Sequence, residues 1–277
     1  MAEPDDGVVE ALKAKHPEGE DPPAPARDPP PPLELSAEIV LGAVSRTPSG
    51  GAPGPDGLWP AHLKQMVGPS AGAARGELEG ALVRFCGLCM DGSVPVAVRP
   101  LFFGAGNVAF RKKDGGLRPI AVGLLLRRLV SKAACTAVQE EAAALLAPVQ
   151  LGIGVPGGSE AAVHGVRRFL EGASSGSGLV KLNLTNAFNT VSRAAVVSSV
   201  SQYMPGLERL IRCAYGARPY LLYAGRVIVS SSGVQSKAIR WARCCSRWPF
   251  EESLTAASLG SRCGISTTGH WVARPTP

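Results

Sequence analysis

Five of the six basic side chains in two neighbouring segments carry the clearest chemical potential of this 277-residue chain. FRKKDGGLRPIAV, residues 110–122, contains Lys112, Lys113 and Arg118, and LLLRRLV, residues 124–130, adds Arg127 and Arg128. NVAFRKK alternates in polarity, meets Asp114-Gly115-Gly116 and resumes as LRPIAV, which is the turn chemistry of a β-hairpin. On such a hairpin Lys112 and Arg118 face each other from opposite strands, as two donors clamping a triphosphate would. Lys113, Arg127 and Arg128 are candidates for contacts to a phosphate backbone. Other reactive groups are poorly grouped. Cys86 and Cys89 form a C-x-x-C inside the apolar stretch ALVRFCGLCM, and no second pair follows at a metal-binding spacing, so no zinc site is expected. Seven cysteines is an odd count, and free thiols are the default. His16, His62, His164 and His270 are scattered without a nucleophile, which removes protease-like chemistry.

The elements that must position these groups are legible in outline. Ser36 caps a short helix with Glu38 in its first turn. The turn-rich TPSGGAPGPDGLWP follows, then a helix around His62–Met66 and another over 76–92 that ends near Asp91-Gly92. After the hairpin, residues 124–147 read as one long helix and 159–171 as a second. Gly178–Leu184 reads as a buried strand. Ser192 caps a helix to Tyr203 that Pro205-Gly206 stops, Leu207–Tyr215 is helical, and Tyr220–Ala224 with Arg226–Ser230 forms a second hairpin around Ala224-Gly225.

Charge is distributed unevenly. Residues 1–40 hold ten acidic and three basic side chains, residues 41–235 twenty basic and ten acidic, and the whole chain carries +7. A basic body behind an acidic leader suggests a polyanionic partner for the body. Residues 1–35, with PEGEDPPAPARDPPPP, are expected to be extended and mobile, a disordered acidic Pro-rich leader. The start MAEPDDG has no apolar core of a secretory signal, and no apolar run approaches the ~18 residues of a membrane span, so neither secretion nor a membrane partner is expected.

Four segments in order carry a family resemblance. GAPGPDGLWPAHLK (Gly51–Lys64), FRKKDGGLRPIAV (Phe110–Val122) with the Arg127-Arg128 helix, LVKLNLTNAFNTV (Leu179–Val191) and SSGVQ (Ser231–Gln235) resemble the reverse transcriptases of non-LTR retrotransposons. The resemblance spans about residues 36–235. It implies an α+β fold, a right-hand polymerase fragment with fingers over 36–178 and a partial palm over 179–235. It also implies triphosphate contacts at Lys112 and Arg118, a ring under the nucleotide sugar at Phe188, and RNA or an RNA/DNA template–primer as partner. No protein partner can be inferred.

The resemblance breaks where catalysis is carried. Joining nucleotides aligns a 3′-oxygen and an α-phosphate between two divalent ions that need anionic oxygen ligands. In the family one carboxylate ends the palm strand and two come from a later Asp-Asp hairpin. Here the strand position is Asn183, whose amide brings no charge, and after Gln235 the only acids are Glu251 and Glu252. The intact family uses Mg²⁺; this chain is expected to hold none and to be inactive as a polymerase.

Residues 236–277 explain themselves differently. Codons allowed for SKAIRWARCCSRW (236–248), read two bases over, encode QGDPLGPLLFAL, the continuation the family shows after Gln235. A frameshift after Gln235 follows, with 236–277 an out-of-frame tail. The strand ending in Asn183 is then expected to lack its neighbour, leaving an open edge prone to aggregation. The reading is thus a truncated, inactive reverse transcriptase fragment. Its alternatives are a non-catalytic RNA/DNA-binding remnant using the basic fingers, or an unselected reading frame without function.

Overall fold

The structure is a computed structural model and describes residues 5–16, 21–22, 24–25, 27–113, 115–148, 150–174, 177–181, 192–216, 218–230, 264–265 and 270–273. The fold is mixed α+β, as expected, with ten α-helices and two sheets among the described residues. The chain divides into two compact units, one of Met1–Thr136 with Asn186–Pro249 and the other of Ala137–Thr185 with Phe250–Pro277.

The first unit is built on a four-stranded sheet of two hairpins. Strands β1 (Ala105–Arg111) and β2 (Leu117–Gly123) pair antiparallel, with Phe110 opposite Arg118 and Arg111 opposite Leu117. Strands β4 (Tyr220–Tyr223) and β5 (Arg226–Ser230) form the other hairpin, turned by Ala224 and Gly225 at φ 49° and 75°. Two successive positive φ values match the right-handed twist of the strands, which is why Gly follows Ala there. β1 and β4 join the hairpins in parallel through Ala105 opposite Leu221 and Gly106 opposite Leu222, giving the order β2-β1-β4-β5.

The acidic leader is the first departure from the sequence reading. Asp6–Ala14 forms helix α1, capped by the Asp5 carboxylate, which accepts from the Val8 amide at 2.7 Å. Val8 and Leu12, four residues apart on one helical face, are buried with Ala109 and Tyr223, and Val9, Leu117 and Ile228 pack around them. The Pro-rich stretch is held as well. Arg209 donates from Nε to the Pro30 carbonyl at 3.0 Å and from Nη2 to the Pro29 carbonyl at 3.2 Å, and the Leu33 amide donates to the Gly206 carbonyl at 2.8 Å. A Cβ at Gly206 would lie 3.2 Å from the Leu33 Cβ, so the strap passes close over that glycine. A few anchored residues hold the leader although its composition cannot build a core of its own.

Further helices belong to the same unit. α2 (Ala37–Ser45) starts at Ser36, whose hydroxyl accepts from the Ile39 amide at 3.3 Å, and buries Val40, Ala43 and Val44. It packs on α3 (Pro60–Met66) and α4 (Ala74–Met90). α4 ends at Gly92, whose φ of 76° is the left-handed stop that Gly supplies cheaply. α5 (Arg99–Phe102) leads into β1. α6 (Leu125–Ala137) follows β2. Ser192 caps α9 (Arg193–Tyr203), accepting from the Ala195 amide, and α10 (Glu208–Tyr215) packs beside it after a 3₁₀ turn at Pro205–Leu207.

The second unit holds α7 (Gln139–Leu146), α8 (Gly158–Glu171) and a small antiparallel sheet in the order β3-β7-β6: β3 (Gly178–Lys181), β7 (His270–Ala273) and β6 (Gly264–Ile265). Two expectations change here. The helix over 124–147 is broken at Val138, where φ −104° and ψ 12° leave the helical region. The Thr136 hydroxyl donates to the Lys132 carbonyl four residues back, a contact that competes with the helical ladder just before the break. β3 also does not lack a neighbour, because Gly178–Lys181 pairs with Ala273–His270 of the tail. The strand predicted over Gly178–Leu184 runs beyond the described residues after Lys181.

Candidate nucleic-acid interface

Three of the segments singled out in the sequence meet around the β1–β2 hairpin. Its turn is closed by the Gly115 amide donating to the Lys112 carbonyl at 3.1 Å and the Lys112 amide donating to the Gly116 carbonyl at 2.7 Å, with Gly115 at φ 79°. A left-handed residue closing a short turn in this way is the bulged hairpin connection that glycine makes easily. The turn fixes which side chains share a face. Lys112 and Phe110 are two apart on one strand and Phe110 is opposite Arg118, so the two cations stand diagonally on one face rather than directly across from one another.

The tip is open. Phe110, Arg111, Lys112, Lys113 and Arg118 line a depression of about 370 Å³, and all five side chains are exposed. Phe110 keeps 41% of its surface in solvent. Sequence reasoning named three of these five. Arg111 and Phe110 were missed, although strand alternation alone was enough to put Phe110 beside Lys112.

The Gly-Pro-Asp-Gly loop docks at the other end of this hairpin, away from the tip. Its turn closes by the Gly57 amide donating to the Gly54 carbonyl at 3.0 Å, and the Leu58 amide donates to the Asp56 carboxylate at 3.3 Å. A Cβ on Gly54 would come within 2.8 Å of the Gly123 carbonyl oxygen and of Leu124 Cα, so only glycine lets the loop lie this close to the end of β2. Pro55 sits 3.4 Å from where a Gly106 Cβ would be, covering the inner end of the same sheet face.

The two adjacent arginines of α6 separate in role. Arg128 is half-buried and donates from Nη2 to the Ala52 carbonyl at 2.8 Å, tying the loop to the helix. Burial lowers its pKa, while the nearby Asp56 acts against that. Arg127 is 2% exposed and donates to the Phe103 carbonyl. Burial pushes its pKa down to about 10, the charge of Arg128 adds to this, and Tyr215 opposes it. Its expected contact with a phosphate backbone is therefore corrected: a guanidinium sealed under α6 cannot reach an external polyanion. It instead satisfies a backbone acceptor within the unit. Gly123 is part of that arrangement, since a Cβ there would overlap the Arg127 guanidinium. Arg193 behaves likewise, buried at 1% exposure with a donor to the Tyr215 carbonyl at 3.2 Å.

Asn183 and Phe188 lie outside the described residues. Cys86 and Cys89 are buried on α4, where desolvation raises both thiols to about 12. Thiols of that basicity are almost wholly protonated near neutrality. Among the described residues no cluster of three or more His, Cys, Asp or Glu is placed to hold a metal ion, and no helix is long and apolar enough to cross a membrane. Compared with known proteins, the chain matches no family model and no curated sequence.

Proposed function

We propose that this chain is a fragment of a non-LTR-type reverse transcriptase that binds nucleic acid through its basic hairpin and does not join nucleotides. The observation that carries the binding half is the exposed tip, where Arg111, Lys112, Lys113 and Arg118 surround one depression. Four cationic side chains brought together on a short hairpin, against the single acid Asp114 in its turn sequence, create a local positive potential, and phosphate is the abundant polyanion that such a potential attracts. The docked Gly-Pro-Asp-Gly loop and Arg128 support the reading differently, by bracing the inner end of that hairpin. The inactive half rests on Asn183 in the sequence, because an amide at the position where the resemblance implies a carboxylate adds no charge for two divalent ions that need anionic ligands.

The test joins a binding and a turnover measurement on the full chain. Affinity for a labelled RNA should fall linearly on a log–log plot against salt. The Lys112→Glu/Arg118→Glu double variant should flatten that slope by roughly 1.4 to 1.8, the share of two phosphate contacts. Primer extension on an RNA template with Mg²⁺ or Mn²⁺ should give no product. Absence of binding at low salt refutes the first half, and template-dependent extension refutes the second.

A further inference from the structure

The hairpin tip carries more than charge. On the face of β1 and β2 that holds Lys112 and Arg118, the register also places Val108 opposite Ile120 and Phe110 opposite Arg118. Ile120 is 42% exposed and Phe110 41%, while Val108 is half-buried. The opposite face is covered, because α1 packs there against Ala109, Leu117, Tyr223 and Ile228. Pro55 closes the inner end of the open face at Gly106. What remains is a strip with an aromatic ring and a branched aliphatic in its middle and cations at its outer end.

We propose that this strip is a platform for unpaired nucleotides, with a base lying on Phe110 and its flanking phosphates held by Lys112 and Arg118. The proposal rests on the nucleic-acid reading above and adds which form of nucleic acid the site prefers. A double helix turns its phosphates outward and hides the faces of its bases, so it would meet the cations but leave Phe110 and Ile120 against sugar and water. A single strand exposes both kinds of group at once, and an aromatic ring beside a cation matches them. The spacing also suits the task. Arg118 stands one strand separation from Phe110, about 4.8 Å, and Lys112 lies two residues along, about 6.8 Å. A base on the ring therefore has a cation to its side and another ahead of it. Every base has a flat face, so the platform is expected to be tolerant of sequence.

The experiment compares a 12-nucleotide oligo(U) with a 12-base-pair RNA duplex, both labelled, by fluorescence anisotropy with the full chain at low salt. The single strand should bind at least tenfold tighter. Phe110→Ala should weaken the single strand by about tenfold or more and leave the duplex unchanged, while Phe110→Trp should keep the single-strand affinity. Phe110 is exposed, so its replacement leaves the fold intact, and circular dichroism of the variant checks this. Equal or tighter duplex binding overturns the platform while leaving the nucleic-acid reading in place, as does a Phe110→Ala variant with undiminished single-strand affinity. Binding of neither form overturns both. Self-association of the free chain that Phe110→Ala abolishes would assign the strip to a second copy of the chain and overturn the platform as well.

Discussion

Truncating Leu12 to alanine should release α1 from the sheet while leaving the hairpin beneath it folded. α1 has nine residues, and a helix that short is marginal in water without tertiary support. Its support is concentrated in Val8 at 4% exposure and Leu12 at 0%, set against Ala109 and Tyr223. Replacing a buried leucine by alanine costs about 2–5 kcal/mol. That is as much as two anchor side chains can hold against the ordering of the segment, so the loss is expected locally, as undocking, before it is felt globally. The Asp5 cap at 2.7 Å contributes about 1 kcal/mol and cannot compensate. Hydrogen exchange read by peptide mass spectrometry separates the outcomes. Peptides covering residues 6–14 should lose protection in Leu12→Ala, while those covering residues 105–123 should keep theirs. Unchanged protection over 6–14 would refute the argument that Leu12 anchors the leader, and simultaneous loss in both regions would show that α1 is integral to the sheet instead.

Two further outcomes are expected. Burial, aided by the charge of Lys15, holds His16 below its ordinary value of 6.5, and neither ring nitrogen has a hydrogen-bond partner among the described residues. The folded form therefore favours the neutral ring, so this contribution to stability is present above about pH 6.5 and is lost as pH falls toward the lower folded value. Urea midpoints measured between pH 7.5 and 5 should show that dependence diminished in His16→Leu. Gly123→Ala should destabilise the first unit, because the added methyl group overlaps the buried Arg127 guanidinium. An overpacking cost of about 1–3 kcal/mol corresponds to a fall in Tm of roughly 3–10 °C. Combining it with Arg127→Met should cost less than the two single changes together, and strict additivity would remove the proposed clash.

The parts of this fold that were readable beforehand are those written locally. Ser36 and Ser192 are caps because a hydroxyl before a helix finds the amide three residues on, and both bonds form. Ala224-Gly225 and the Gly115 turn sit where strand alternation is interrupted by residues that tolerate positive φ. The parts that were not readable depend on distant partners. Nothing near Asp6–Ala14 announces Tyr223, so its Val8–Leu12 stripe was lost among prolines and acids. Arg127 and Arg128 are alike as neighbours, and only the path of α6 past Phe103 and Ala52 decides that one is buried and the other braces a loop. At the candidate site the cations were visible from their types. The company of Phe110 followed from register, and the diagonal placement of Lys112 and Arg118 followed from a turn that sets Lys112 level with Gly116, two residues short of Arg118.

The parallel seam between Ala105 and Leu221 has a consequence for a chain made from its amino end. When the first hairpin leaves the ribosome, the strand meant to lie beside it is still about a hundred residues from being synthesised. At roughly 5–20 residues per second that interval is about 5–20 s, during which β1 offers unsatisfied peptide groups along one side. α1 has emerged earlier still, but two of the side chains it packs against, Tyr223 and Ile228, arrive only with the second hairpin, so the acidic leader finds its complete docking surface only after β4 and β5 have been made.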